Sequence, residues 1–321
     1  MIETRAVVME RPQQLSLQTV ALDAPSDGDV VVEIDWTGIS TGTERLLWSG
    51  KMPPFPGLGY PLIPGYESTG RVVSAGPQAK LEVGTRVFVP GAKCFGEVRG
   101  LFGGAAATLI VPSERAVAID NDLGESGVLL ALAATAHHAL FKRVDSDTAE
   151  KVKRALPDMI VGHGVLGRLL ARLCVVFGGS PTVWETNPLR AQGAVGYTVV
   201  SPDDDKSSRY QRICDASGDS QLLDRLISQL APHGELVLAG FYEQRLGFDF
   251  APAFMREASI RIAAQWQPQD LIAVKELAES RELSLDGLIT HRASPVDAQA
   301  AYRTAFDDPS CLKMVLDWRL Q

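Results

Sequence analysis

Gly162-His163-Gly164-Val165-Leu166-Gly167 stands between the apolar run Met159-Ile160-Val161 and the amphipathic run Arg168-Leu169-Leu170-Ala171-Arg172-Leu173, and Glu185 closes the next apolar stretch, Thr182-Val183-Trp184. A strand, a glycine-rich turn, a helix and a second strand ending in acid are the context in which G-x-G-x-x-G binds a dinucleotide. Gly162 permits the tight turn, Gly164 lets the backbone approach a pyrophosphate, and Gly167 lets the helix pack close to the sheet. Val165 and Leu166 open that helix, whose free N–H groups face phosphate, and His163 belongs to the same loop rather than to the catalytic groups. The Glu185 carboxylate can accept both adenosine ribose hydroxyls and would repel the extra phosphate of NADP, so the expected cofactor is NAD. Arg190 follows closely and could reach a 2′-phosphate, with Glu185 expected to dominate.

Around this motif, residues 126–267 alternate strands with amphipathic helices. Strands are expected at 159–161, 182–185, 198–201, 213–216, 236–239 and 260–263, a doubly wound parallel sheet that binds ligand at its carboxyl ends. Residues 1–125 read differently: they are rich in glycine and proline and carry short β-branched runs at 30–34, 70–73 and 86–89, the pattern of an irregular all-β unit. Residues 268–321 predict a helix over 270–282, a strand at 288–290, a helix over 296–306 and a strand at 313–317, returning to complete the first domain.

A net charge of −8 argues against a nucleic-acid footprint and against a polybasic lipid anchor. Cys94, Cys174, Cys214 and Cys311 are scattered without C-x-x-C spacing, which indicates neither a zinc cluster nor a disulfide framework. They read as reduced thiols in a cytoplasmic protein. The N-terminus opens directly into an alternating strand, with no signal peptide and no apolar run long enough to span a bilayer, so no transmembrane segment is expected.

Thr37-Gly38-Ile39-Ser40-Thr41-Gly42-Thr43-Glu44, Pro61-Leu62-Ile63-Pro64-Gly65-Tyr66-Glu67, Gly84-Thr85-Arg86-Val87 and the glycine turn together resemble the medium-chain dehydrogenase/reductase superfamily over essentially the full chain. The resemblance implies an α/β protein made of a GroES-like irregular β domain and a Rossmann domain. Zinc-dependent members carry a Cys after the first Gly-Ile pair and a His between the Gly and Glu of the second motif. Here the first position is Ser40 or Thr41, depending on where one extra residue is placed, and the second is Tyr66. Neither hydroxyl is a good zinc ligand. The segment that holds four cysteines around a structural zinc in many relatives has only Cys94, so no metal is expected. Zinc acidifies the alcohol and stabilises the alkoxide. That help matters less if the carbon losing hydride adjoins a conjugated ring that spreads positive charge.

Residues 43–53, 96–106 and 129–139 resemble a branch of this superfamily that works in bacteriochlorophyll synthesis. That resemblance implies NAD-dependent oxidation of the 3-(1-hydroxyethyl) group of a bacteriochlorophyllide or chlorophyllide, a tetrapyrrole substrate, to 3-acetyl. Tyr66 is then the first candidate to hold or relay the hydroxyl proton, provided its phenol pKa falls below about 10; the bland alternative is a wall residue that only hydrogen-bonds substrate. Ser40, Thr41 and Thr43 are candidates to relay a proton or position the alcohol, or are ordinary turn caps. Glu67 either orients a neighbour, acts as base, or is a buried paired carboxylate. His137 and His138 begin as a helix-borne pair of which one, His138, is taken as the candidate general base, against a structural role. Trp48, Phe55, Tyr60, Phe95 and Phe102 could line an aromatic slot for the macrocycle, and Lys51 and Arg99 could pair with a propionate. By fold analogy, residues 258–265 are the sheet edge expected to join a homodimer. Two other readings stand: a zinc-free NAD(P)H quinone or enoyl reductase, against which Glu185 counts, and a non-catalytic tetrapyrrole carrier, against which the complete dinucleotide motif counts.

Overall fold

The computed structural model describes residues 2–54, 56–141, 152–153, 156–207 and 209–320. The chain divides into two units, Met1–Ala131 with Asp286–Gln321, and Leu132–Leu285.

The first unit opens with the antiparallel pair β1 (Ile2–Arg11) and β2 (Gln14–Leu22), then β3 (Asp29–Ile39), helix α1 (Thr43–Ser49), β4 (Leu62–Ile63), β5 (Ser68–Ala75), β6 (Arg86–Val89), β7 (Arg99–Gly100), β8 (Thr108–Pro112) and β9 (Val117–Ala118). Alternation decides which face of β3 is core: Val30, Val32 and Ile34 are buried while Glu33 between them is exposed. One sheet has the order β2-β1-β4-β7. Helix α2 (Leu130–Phe141) carries the chain across the division.

The second unit contains β10 (Met159–Val161), α3 (Val165–Val176), β11 (Thr182–Trp184), β12 (Thr198–Val200), β13 (Tyr210–Asp215), α4 (Leu223–Gln229), β14 (Leu230–Leu238), α5 (Phe250–Met255), β15 (Ser259–Ile262) and α6 (Pro268–Glu279). Its sheet is parallel throughout, in the order β12-β11-β10-β13-β14-β15. All three residues of β10 are buried, as a strand covered on both faces must be. Strand order reverses at β10, which places the ligand-binding switch point at the carboxyl ends of β10 and β13.

The chain then returns to the first unit with β16 (Ile289–Ala293), α7 (Ala298–Asp307) and β17 (Lys313–Asp317). β17 inserts beside β3, pairing Met314 with Ile39 and Asp317 with Trp36, in a sheet ordered β16-β17-β3-β5-β6-β9 with β8 also on β3. The return falls at 285/286 rather than at 267/268, because α6 stays in the second unit. Its Asp270 is bound by both histidines of α2. The first crossing likewise falls at 131/132 rather than 125/126. Among the described residues no helix is long and apolar enough to cross a membrane.

Candidate active site

The turn at the end of β3 builds a buried polar cluster in the first unit. Gly38 pairs across to Glu67, donating its N–H to the Glu67 carbonyl at 2.8 Å, and a Cβ at Gly38 would stand 2.3 Å from Glu67 Oε2. Glycine is therefore what lets the Glu67 side chain lie over β3. There Lys313, leading β17, donates to Glu67 Oε2 at 2.6 Å and to the Ile39 carbonyl at 3.2 Å. Glu44, in the first turn of α1, accepts the Ser40 N–H at 3.1 Å and the Tyr302 hydroxyl, from α7, at 2.7 Å. The Ser40 and Tyr66 hydroxyls are 2.5 Å apart, and Thr43 also hydrogen-bonds the phenol.

This cluster holds two buried carboxyls and one ammonium. Lys313 compensates Glu67, although burial still holds that carboxyl above its ordinary range. Glu44 has no ammonium bonded to it among the described residues: burial, reinforced by the Glu67 charge, pushes it up to about 7 against the Tyr302 hydrogen bond. Burial and the neighbouring Glu67 raise Tyr66 above the ordinary phenol range. The lowered phenol pKa on which a Tyr66 base depends is thus reversed, and Tyr66 is a neutral donor–acceptor at physiological pH.

Ser40, Thr43 and Tyr66 come together, whereas Thr41 is exposed at the turn. Glu67 is the paired structural carboxylate rather than a free base. His138 is corrected more fully: it is buried, and its Nδ1 and that of His137 each lie 2.8 Å from a different oxygen of Asp270. Both rings staple α2 to α6. Trp48 and Phe95 are core, not slot: Trp48 packs against Tyr302 and Phe306 at 6.1 Å, and Phe95 is 3% exposed. Tyr60 is half-buried with its hydroxyl on the Leu47 carbonyl. Phe102 is exposed and meets Tyr66 edge-on, ring centroids 5.2 Å apart. Lys51 and Arg99 are exposed, and Phe55 lies outside the described residues. Lys313 and Tyr302 escaped the sequence reading, since they reach the cluster across 246 and 258 positions. The one local hint was a lysine heading an otherwise apolar strand. Among the described residues no group of three or more His, Cys, Asp or Glu converges as a metal-binding set.

In the second unit the glycine turn has the shape a dinucleotide requires. Gly162 has φ +93°, a Cβ at Gly167 would lie 1.8 Å from the Gly162 carbonyl oxygen, and a Cβ at Gly164 would meet no protein atom within 4 Å. The open space beside Gly164, at the N-terminus of α3, fits a pyrophosphate. Glu185 accepts the His163 N–H at 2.9 Å and the Asn187 N–H at 2.7 Å, one on each oxygen, and each oxygen keeps acceptor capacity for a ribose hydroxyl. His163 contributes its backbone; its fully buried ring is a tie, not a cofactor contact. Nδ1 lies 2.6 Å from the Arg190 carbonyl, which only accepts, so Nδ1 carries the hydrogen and Nε2 accepts from Tyr197 at 2.8 Å. Burial, with Arg168 adding to it, lowers this ring to about 4. Arg168 donates to the carbonyls of His163, Arg190 and Gln192, so the loop bearing Arg190 is tied to the glycine turn. Arg168 and Tyr197 had no sequence signal beyond a basic residue on an apolar helix face.

Residues 26–121 match the alcohol dehydrogenase GroES-like domain. The chain is 53% identical to the 2-desacetyl-2-hydroxyethyl bacteriochlorophyllide A dehydrogenase of Cereibacter sphaeroides and 54% identical to the protein of that name from Rhodobacter capsulatus, covering 99% of each chain in both cases. The chain belongs to this dehydrogenase family, within the medium-chain dehydrogenases/reductases. Among solved structures, L-idonate 5-dehydrogenase from Escherichia coli superposes with a TM-score of 0.84 at 17% identity, covering 99% of both chains. An NADP-bound zinc-binding dehydrogenase from Sinorhizobium meliloti gives 0.82 at 18% identity, covering 99% of this chain and all of the other. These likenesses show the fold expected of the family, a GroES-like β domain with a Rossmann sheet.

Proposed function

We propose that the protein oxidises the 3-(1-hydroxyethyl) group of a bacteriochlorophyllide or chlorophyllide to 3-acetyl with NAD as hydride acceptor, in the cytoplasm and without zinc. What carries the reading is identity above one half, across the whole chain, to two dehydrogenases named for that substrate. The balance is simple: the carbinol carbon loses hydride to the nicotinamide, the hydroxyl loses a proton, and a C=O forms. Bound NAD would be held by Gly162, Gly164, the N–H groups of Val165 to Gly167, and Glu185, and it supplies the hydride acceptor. Glu185 favours NAD over NADP by repulsion of a 2′-phosphate.

The proton side falls to the hydroxyl cluster of the first unit. Tyr66 and Ser40 each donate and accept, so they can pass a proton away from the alcohol while neither ionises. The conjugated ring bearing the alcohol carries part of the charge that zinc would otherwise offset. Phe102, exposed beside Tyr66, supports an aromatic contact with the macrocycle, and the exposed Arg99 supports pairing with a propionate. The sheet edge at β15 leaves Ile262 64% exposed, and Phe254 and Met255 of α5 are 65% and 77% exposed, which supports a homodimer through this edge.

The test is an absorbance time course with 3-hydroxyethyl bacteriochlorophyllide a and NAD. A red shift of the long-wavelength band that requires NAD is expected. Pigment binding without any shift would overturn the enzyme reading in favour of a carrier.

A further inference from the structure

The dinucleotide site proposed above has two walls, and the glycine turn is only one. The other lies at the carboxyl end of β13, across the switch point from β10. Its centre is Asp215, the last residue of β13, which is fully buried. One carboxylate oxygen accepts the Ser217 N–H at 2.8 Å and the Ser217 hydroxyl at 2.6 Å, while the other accepts the Tyr242 hydroxyl at 2.7 Å. The Asp215 carbonyl accepts the N–H groups of Ala239 and Gly240 at 2.8 and 2.9 Å. A single residue thus ties the loop after β13 to the loop after β14.

The two loops touch directly. A Cβ at Gly240 would lie 2.7 Å from the Gly218 nitrogen, and one at Gly218 would lie 2.7 Å from the Phe241 carbonyl oxygen. A Cβ at Gly162 would be 3.3 Å from the Ser217 nitrogen, so the tied loops begin against the first glycine of the dinucleotide turn. Tyr242 packs its ring on the core of this unit, yet its neighbour Phe241 is left 49% exposed at the same edge. Burying a carboxylate is unfavourable unless its hydrogen bonds are complete, and here the side chain has three donors, all from these two loops. The arrangement fixes backbone at the end of the crevice opposite Glu185, where an apolar ring face is also on offer.

We infer that Asp215, Ser217 and Tyr242 form a clamp that positions the nicotinamide ring of the bound dinucleotide, with Phe241 as the apolar face beside it. The inference rests on the dinucleotide reading and adds a positioning device to it. The test compares wild type with Tyr242→Phe in calorimetric titrations with NADH, with NADPH in parallel, and with ADP-ribose, which lacks only the nicotinamide ring; fluorescence of bound NADH reports the nicotinamide environment. Tyr242→Phe is expected to weaken the reduced dinucleotide by roughly three- to tenfold, to move nicotinamide emission toward that of free NADH, and to leave ADP-ribose binding unchanged. Dinucleotide and ADP-ribose affinities that both hold, or fall by the same factor, would overturn the clamp. Wild type that binds none of these would sink the dinucleotide reading itself. If Tyr242→Phe fails to fold, Ser217→Ala, which keeps its backbone donor, takes its place with the same outcomes.

Discussion

Lys313 Nζ lies 2.6 Å from Glu67 Oε2 with both side chains buried, joining positions 246 apart, while Glu67 Oε1 has no hydrogen-bond partner among the described residues. The ammonium also caps the Ile39 carbonyl, so the last strand is fastened chemically as well as by its ladder. Removing one charge strands the other in a low-dielectric interior. Lys313→Met is expected to destabilise the protein by about 3–5 kcal/mol in urea unfolding. Adding Glu67→Gln should restore much of the loss, because no buried charge is then left. A double variant no more stable than Lys313→Met would contradict the pairing.

Glu44 makes stability fall with rising pH. Its carboxyl is held up to about 7 by burial against an ordinary value of 4.5, so the folded state keeps a proton that the unfolded state has released. The contribution is complete below pH 4.5 and is lost as pH rises through 7. By linkage it amounts to about 3 kcal/mol. Glu44→Gln can accept the Ser40 N–H on its amide oxygen and donate its amide N–H to the Tyr302 hydroxyl, so its unfolding free energy should be flatter than that of wild type between pH 5 and pH 8. Parallel profiles for the two proteins would show that Glu44 does not titrate in this range.

Tyr66→Phe removes the phenol but keeps the ring against Phe102. The variant should fold and bind NADH like wild type, and its kcat for pigment oxidation should fall by roughly 10²-fold or more, in the range for loss of one proton-handling group. Ser40→Ala should lose less, since Thr43 still bonds the phenol. Treatment with a strong zinc chelator should leave wild-type turnover intact. Stoichiometric zinc in active enzyme, lost together with activity, would return the oxidation to metal chemistry.

The Rossmann half could be read from short spans because its causes are local. The turn at 162–167, the helix after it and Glu185 all lie within one β-α-β stretch, where the glycine positions specify backbone geometry directly. The hydroxyl cluster was only partly readable: Ser40 and Tyr66 stood out by departing from a ligand pattern, but the phenol's pKa depends on burial and on Glu67, which sequence does not reveal. Lys313 and Tyr302 arrive from the returning segment, and no short window links them to Glu44 or Glu67. Trp48 and Phe95 failed as slot residues for a complementary reason. Large aromatics in loops are as useful for filling a core as for lining a site, and α7 packs over Trp48. His138 was singled out from the helix-borne pair as a base, yet two adjacent imidazoles can share one carboxylate when its two oxygens face them both.

His163 predicts how cofactor binding responds to acid. The neutral ring donates from Nδ1 to the Arg190 carbonyl and accepts at Nε2 from Tyr197, and so holds the Arg190 loop on the glycine turn. Burial first, then the Arg168 charge, oppose its protonation and bring it down to about 4 from 6.5. The unfolded chain therefore takes up a proton at higher pH than the folded one, and stability is present above pH 6.5 and lost as pH falls through 4. A proton at Nε2 would remove the acceptor that Tyr197 uses, loosening the loop whose first residues also hold Glu185. NADH affinity in wild type should accordingly hold from pH 8 to about 5 and weaken as pH falls toward 4. His163→Gln cannot titrate, so its NADH affinity should be weaker than that of wild type near neutrality and should lack the His163 component of the acid-side decline. Profiles of the same shape in the two proteins would show that His163 holds the loop without coupling it to protons.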